Sequence, residues 1–134
     1  MLRCSCPYVG KTTYKGCLVT CYNVDAEYVL SRMGEEPIVD LRPAFMFDSS
    51  HIPNAHNIDY WSLASQDGPS FPEHFEGLLG EVGVGKGDPV ILHCQMGITS
   101  AKACAVLMER GFTELRHYAG GFEDWGSDPF RPVE

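Results

Sequence analysis

No run of about 18 uninterrupted apolar residues occurs in this chain, and a helix needs roughly that length to cross the hydrocarbon core of a bilayer. Positive charge is scarce too: ten Lys and Arg stand against 18 Asp and Glu, for a formal net charge of -8. Without a broad positive field to draw phosphate backbones or anionic lipid, nucleic acid and membrane are excluded as expected partners. An apolar leader is missing after Met1, because Arg3, Gly10, Lys11, Thr12, Thr13, Tyr14, Lys15 and Gly16 keep the first residues polar; a cytoplasmic location is the expectation. Internal repeats, low-complexity tracts and blocks of like charge are absent as well, so no solenoid, linker array or charged tail is expected.

What remains is a chain of 134 residues, 44% hydrophobic and 21% charged, which suits one globular core. Residues 1–16 carry no apolar periodicity and are read as an N-terminal extension, with residues 17–134 as the domain. Along the domain, Cys17–Cys21 reads as a strand and Asp25–Arg32 as a helix capped by Asn23 or Asp25. Pro37–Leu41 reads as a buried strand, and Pro43 suits the first turn of a short helix toward Asp48. A strand at Ala55–Ile58 is followed by a loop containing Gly, Pro and Ser. Pro72–Val82 is a helix by the spacing of Phe75, Leu78, Leu79 and Val82. Pro89–His93 is the clearest strand and Thr99–Arg110 the clearest helix, stopped by Gly111. Leu115–Tyr118 is a last strand, and Gly120-Gly121 opens a helical turn ending near Trp125. Strands alternating with helices predict an α/β fold: a mostly parallel sheet with helices on both faces, and ligands at the carboxyl ends of the strands. Asp40 and Cys94 both stand at such ends.

The segment His93-Cys94-Gln95-Met96-Gly97-Ile98-Thr99-Ser100 puts a cysteine directly after a buried strand and before a helix. Consecutive amides in a tight loop, joined by the positive end of the next helix, stabilise a thiolate without a charged side chain. Gly97 supplies the backbone freedom such a loop requires. The competing reading is plain burial, since a free cysteine also behaves as a small apolar residue.

Further motifs decide between these readings. Ile38-Val39-Asp40-Leu41-Arg42, Ser50-His51-Ile52-Pro53-Asn54-Ala55 and Tyr118-Ala119-Gly120-Gly121-Phe122-Glu123-Asp124-Trp125 stand in order around the Cys94 loop. With it they resemble the rhodanese family over about Cys17 to Phe130. The resemblance implies the rhodanese-like fold, a central parallel sheet flanked by helices on both faces. It also implies a sulfurtransferase in which Cys94 takes a sulfane sulfur from thiosulfate or a related donor, holds it as a persulfide, and yields it to cyanide or a thiol acceptor. Such covalent catalysis splits one hard transfer into two easier ones. On the same resemblance the amides of Gln95, Met96, Gly97, Ile98 and Thr99 bind substrate, and neither cofactor nor metal is called for.

The sequence departs from the family in several places. Many members carry arginine where Thr99 stands, so the loop holds no cation and weak thiosulfate affinity is expected. Thr99 either caps the following helix or contacts sulfur. Met46 replaces the usual acidic partner of Arg42, which then pairs with Asp48 or faces the site, although a structural arginine is the commoner case. Asp40, Arg42, His51 and Lys102 are candidates for supporting the site from around the loop. His51 and Asp40 are expected to fix loops and not to act as bases; Lys102 is expected to be exposed. Ser50 and Asn54 replace two glycines common around the His-Ile-Pro signature, and asparagine tolerates the left-handed geometry. Cys104 is expected in the core, and Trp61, Phe71 and Trp125 either wall the site or pack there. Cys4, Cys6, Cys17 and Cys21 lack the paired-knuckle spacing of a zinc ribbon and are read as incidental thiols.

Three other functions compete. A phosphatase or arsenate reductase would need an arginine where Ser100 stands. A non-catalytic binding module would leave Cys94 idle. A sulfur relay would hand the persulfide to a protein partner.

Overall fold

The computed structural model describes residues 13–14, 17–18 and 21–134, with side chains from Cys21 onward. Five parallel strands form its sheet: β3 (Cys21–Val24), β4 (Ile38–Asp40), β5 (His56–Asn57), β6 (Val90–His93) and β7 (Leu115–Tyr118), in the order β3-β7-β6-β4-β5. A separate antiparallel pair joins β1 (Thr13–Tyr14) to β2 (Cys17–Leu18). The strand read at Cys17–Cys21 therefore divides, and the sheet's edge strand is Cys21–Val24. Its place is set by parallel register with β7, Cys21 against Leu115 and Val24 against Tyr118. That register carries the chain straight into Asp25, whose carboxylate caps α1 (Ala26–Arg32) by accepting from the Tyr28 amide at 2.9 Å.

β6 is central and buried at every residue. The two-residue period of its side chains divides the core in two. Val90 and Leu92 join Val39 of β4 and Leu115 of β7 on one face, under α3 (Tyr60–Asp67), α4 (Phe71–Glu81) and α5 (Ile98–Glu109). Ile91, Ile38 and Tyr118 point the other way, toward α1 and α6 (Gly121–Gly126) with Val29 and Trp125. Each fully buried aliphatic or Phe side chain contributes about 1.5–3 kcal/mol, so both faces are needed. A further short helix, α2 (Ala44–Ser49), follows β4, with Pro43 at its N-cap.

α3 lies within the segment expected to be a loop. Asp59 caps it, its Oδ1 accepting from the Ser62 amide at 3.2 Å, and the Gly68-Pro69-Ser70 signal marks only the short 3-10 turn between α3 and α4. Tyr60, Phe71 and Phe75 meet edge to face or stacked, which anchors both helices to the sheet.

Because the strands run parallel, β4, β6 and β7 end on one side. There Leu41–Pro43, Cys94–Gly97 and Ala119–Gly120 converge. None of the described helices is long and apolar enough to cross a membrane.

Candidate functional site

Cys94 follows the last residue of β6 and is 4% exposed. Its Sγ lies 3.2 Å from the Gly97 amide, 3.3 Å from the Ser100 amide and 3.3 Å from the Ser100 hydroxyl. Of the loop amides named from the sequence, only that of Gly97 reaches Sγ; those of Gln95, Met96, Ile98 and Thr99 do not. The other two contacts come from Ser100 in the first turn of α5, its amide donating and its hydroxyl able to donate or accept, because the helix starts at Ile98 and turns the 100 position inward. Hydrogen bonds to a sulfur anion favour the charged form, so the arrangement suits a thiolate or persulfide.

Two glycines make the loop possible. Gly97 has φ +93, and a Cβ there would sit 2.5 Å from the Ala119 carbonyl oxygen. Gly121, at φ +65, would place a Cβ 2.5 Å from the carbonyl oxygens of Cys94 and Gln95. Those carbonyls accept from the first amides of α6, Cys94 O from Phe122 at 2.9 Å and Gln95 O from Glu123 at 3.0 Å. The loop's carbonyls are thus drawn toward α6, leaving its amides for the sulfur.

Behind Ser100 lies His117 of β7, 2% exposed, with Nε2 at 2.7 Å from Ser100 Oγ. Burial lowers its pKa to about 4, so the ring is neutral near pH 7. The Gly97 backbone reaches the ring and opposes that shift, although no partner lies in hydrogen-bonding geometry with Nδ1 among the described residues. Neither Ser100 nor His117 was singled out as a site residue in the sequence. The available signal was parity: two residues beyond Leu115, His117 shares the face of β7 that looks toward α5.

The four residues expected to support the site divide. Asp40 is wholly buried and takes Arg42 in a fork, Nε to both carboxylate oxygens at 3.0 Å and Nη2 to Oδ2 at 2.8 Å. Arg42 also donates to the Ser50 carbonyl at 2.7 Å and stacks 4.1 Å above the Phe122 ring. Its partner is thus Asp40 and not Asp48, and it serves as a brace between β4 and α6 whose one contact with the loop is Gln95 Oε1 at 3.4 Å. His93 fills the space beside Asp40 with Nε2 3.7 Å from Oδ2. Desolvation lowers its pKa against the pull of Asp40, so this neutral ring makes no ion pair. His51 fixes a loop, stacking on Phe47 while its Nδ1 meets the Phe47 carbonyl at 2.8 Å. Lys102 is exposed, and Asn54 takes the left-handed geometry at φ 69.

Thr99 neither caps α5, whose N-cap is Gly97, nor touches sulfur. Its hydroxyl accepts from the indole Nε1 of Trp61 at 2.9 Å. That bond holds Trp61, 49% exposed, against the start of α5, and Met96 and Ile98 of the same segment are exposed as well. Phe71 and Trp125 are core residues, as is Cys104, whose thiol pKa burial raises, with Cys94 as a second cause. Cys21 is buried and disulfide-bonded, which corrects its reading as an incidental thiol. The readings of Cys4, Cys6 and the Cys17 side chain fall outside the described residues.

The family model for the rhodanese-like domain matches residues 25–128. The chain belongs to the rhodanese-like family. Among relatives of this rhodanese-like chain, thiosulfate sulfurtransferase GlpE of Shewanella oneidensis is 32% identical over 88 residues, covering 66% of this chain and 73% of that protein. Adenylyltransferase and sulfurtransferase MOCS3-1 of Zea mays is 33% identical over 91 residues, covering 68% of this chain but 18% of its own length. This chain therefore spans under a fifth of the maize protein. In three dimensions, the human single-domain sulfurtransferase TSTD1 matches with a TM-score of 0.63 and 26% identity, over 79% of this chain and 96% of that one. The fold is the rhodanese fold, and the family is one of sulfurtransferases.

Proposed function

We propose that this rhodanese-like domain is a sulfurtransferase that carries a sulfane sulfur on Cys94. The observation that carries the reading is the convergence on Sγ of two donating amides and the Ser100 hydroxyl, at the mouth of a parallel sheet. In the first half-reaction the Cys94 thiolate attacks the outer sulfur of the donor. A sulfur–sulfur bond forms on Cys94 as the donor's own sulfur–sulfur bond breaks, and with thiosulfate the leaving group is sulfite. In the second, cyanide or a thiolate takes the outer sulfur, and the bonding pair returns to Cys94 as thiolate, where the same three groups receive it.

Donor preference follows from charge. The guanidinium nearest the loop is already held by Asp40, and Lys102 stands exposed on α5. A doubly charged donor such as thiosulfate gains little from this site, whereas a persulfide or polysulfide of lower charge needs only the amides. Met96 and Ile98 of the loop segment, and Trp61 bonded to Thr99, are apolar and exposed, which suits a thiol acceptor, small or carried on a protein, better than a hydrophilic anion.

The test is an intact mass after incubation of the reduced protein with thiosulfate or a persulfide donor and removal of excess. One added sulfur, about 32 Da, is expected on the wild type and not on Cys94→Ser, and cyanide or thiol should remove it. A mass unchanged by either donor would refute sulfur transfer and favour a catalytically idle binding module.

A further inference from the structure

We infer that His117 is a positioning residue for the sulfur chemistry: through Nε2 it orients the Ser100 hydroxyl so that its proton faces the Cys94 sulfur. This rests on Cys94 as the sulfur carrier and adds a residue that the reaction scheme does not otherwise require.

The geometry is a continuous chain, 2.7 Å from His117 Nε2 to Ser100 Oγ and 3.3 Å from Oγ to Cys94 Sγ. Its two inner members, Ser100 and His117, are 0% and 2% exposed, so water does not compete for them. A serine hydroxyl has one proton to give. In the first turn of a helix that proton has a ready alternative, a backbone carbonyl three or four residues back, here Gly97 or Met96. When Nε2 carries the ring proton and donates to Oγ, it occupies a lone pair of Oγ and leaves the hydroxyl proton to point at Sγ. Sγ then accepts three hydrogen bonds, a pattern that suits a thiolate. When the ring proton sits on Nδ1, the chain reverses: Nε2 accepts from Oγ–H, and Oγ accepts from a thiol S–H. The two neutral tautomers thus match the two protonation states of the sulfur, with no charge placed on the ring.

The location supports this use. Ser100 is the side chain that meets Nε2 among the described residues, and the Gly97 backbone also reaches the ring. A buried polar ring kept only for packing would leave an apolar residue of similar size free to replace it at lower desolvation cost.

The test follows the rate of Cys94 alkylation by iodoacetamide against pH, read at the Cys94 peptide by mass spectrometry, in folded wild type, His117→Phe, His117→Gln and Ser100→Ala. Loss of one hydrogen bond to the anion should move the midpoint up by about one pH unit and slow alkylation about tenfold below it. His117→Phe and Ser100→Ala should shift alike, and the double variant no further than either, because both remove one oriented hydroxyl. His117→Gln, whose side-chain amide can still donate to Oγ, should recover much of the shift. An unmoved midpoint in His117→Phe, or equal additive shifts in the double variant, would overturn the inference. Should His117→Phe fail to fold, the comparison of His117→Gln with Ser100→Ala decides it: a Gln profile as displaced as the Ala profile overturns it. A wild type that accepts no sulfur would instead sink the sulfur-carrier reading and leave this profile readable.

Discussion

Acidification should destabilise this domain well above the pH at which its carboxylates take up protons, and His117 should be a principal cause. The folded ring has its pKa lowered to about 4 by burial, against about 6.5 for an exposed imidazole. With the folded value below the unfolded one, the unfolded chain binds the proton first. The contribution of this ring is therefore intact above about pH 6.5, falls as the pH descends toward about 4, and is fully lost below that. At about 1.4 kcal/mol per pH unit between the two values, the full loss is about 3 kcal/mol, of which about 2 kcal/mol has gone by pH 5. His93, wholly buried and also lowered by desolvation, acts in the same direction. Since a domain of this kind is stable by only about 5–15 kcal/mol, the loss is easily measured. Urea midpoints at about pH 7.5 and pH 5 for wild type and His117→Gln would isolate the term, because all other titrating groups are common to both. The variant should lose about 2 kcal/mol less between the two conditions. An equal loss in the two proteins would refute the reasoning and show that the ring is hydrated or partnered in solution.

Arg42→Met should lower stability by about 3–5 kcal/mol, because it leaves the Asp40 carboxylate buried without its fork; thermal melting checks this, and adding Asp40→Asn should recover part of the loss. A melt within experimental error of wild type would show the pair to be dispensable. Gly121→Ala should cost about 1–3 kcal/mol for the left-handed backbone alone, and more because the Cys94 and Gln95 carbonyls must move. Its sulfur loading and Cys94 alkylation should slow as well, and unchanged melting with unchanged loading would mean that the loop can yield freely.

The alternation of Pro37–Leu41, Pro89–His93 and Leu115–Tyr118 with helical segments carried the parallel sheet, most clearly at Pro37–Leu41 and Pro89–His93, because strands buried on both faces run nearly continuously apolar. Cys94 and Gly97 were legible for the same reason: a strand end and a helix start leave few geometries between them. α3 was hidden by the Gly68-Pro69-Ser70 signal, which marks its end and not its absence; Asp59 was the cap that announced it. The true partner of Arg42 was hidden too. A fork to Asp40 two residues away depends on the chain leaving β4 and bending back, which no periodicity encodes. Ser100 and His117 lie 17 residues apart and meet only because β6 and β7 are neighbours beneath α5. Each alone reads as an ordinary helix or strand residue.

The parity of the sheet also sorts the polar residues at its carboxyl edge onto opposite faces. Asp40 and His93 face α1 and α6, on the side with Ile91 and Tyr118, where the fork to Arg42 braces the structure around the loop. His117 faces α5, on the side with Leu92 and Leu115, where it meets Ser100. A carboxylate beside Cys94 would raise the cost of a thiolate, as like charges do. The only carboxylate in this buried set is placed on the opposite face and neutralised by Arg42. Moving charge across the sheet is therefore a more searching perturbation than removing it: His117→Asp should place a carboxylate behind Ser100 and shift the Cys94 alkylation midpoint upward beyond His117→Phe. A smaller shift than in the Phe variant would mean that the carboxylate is protonated there, or that water reaches it.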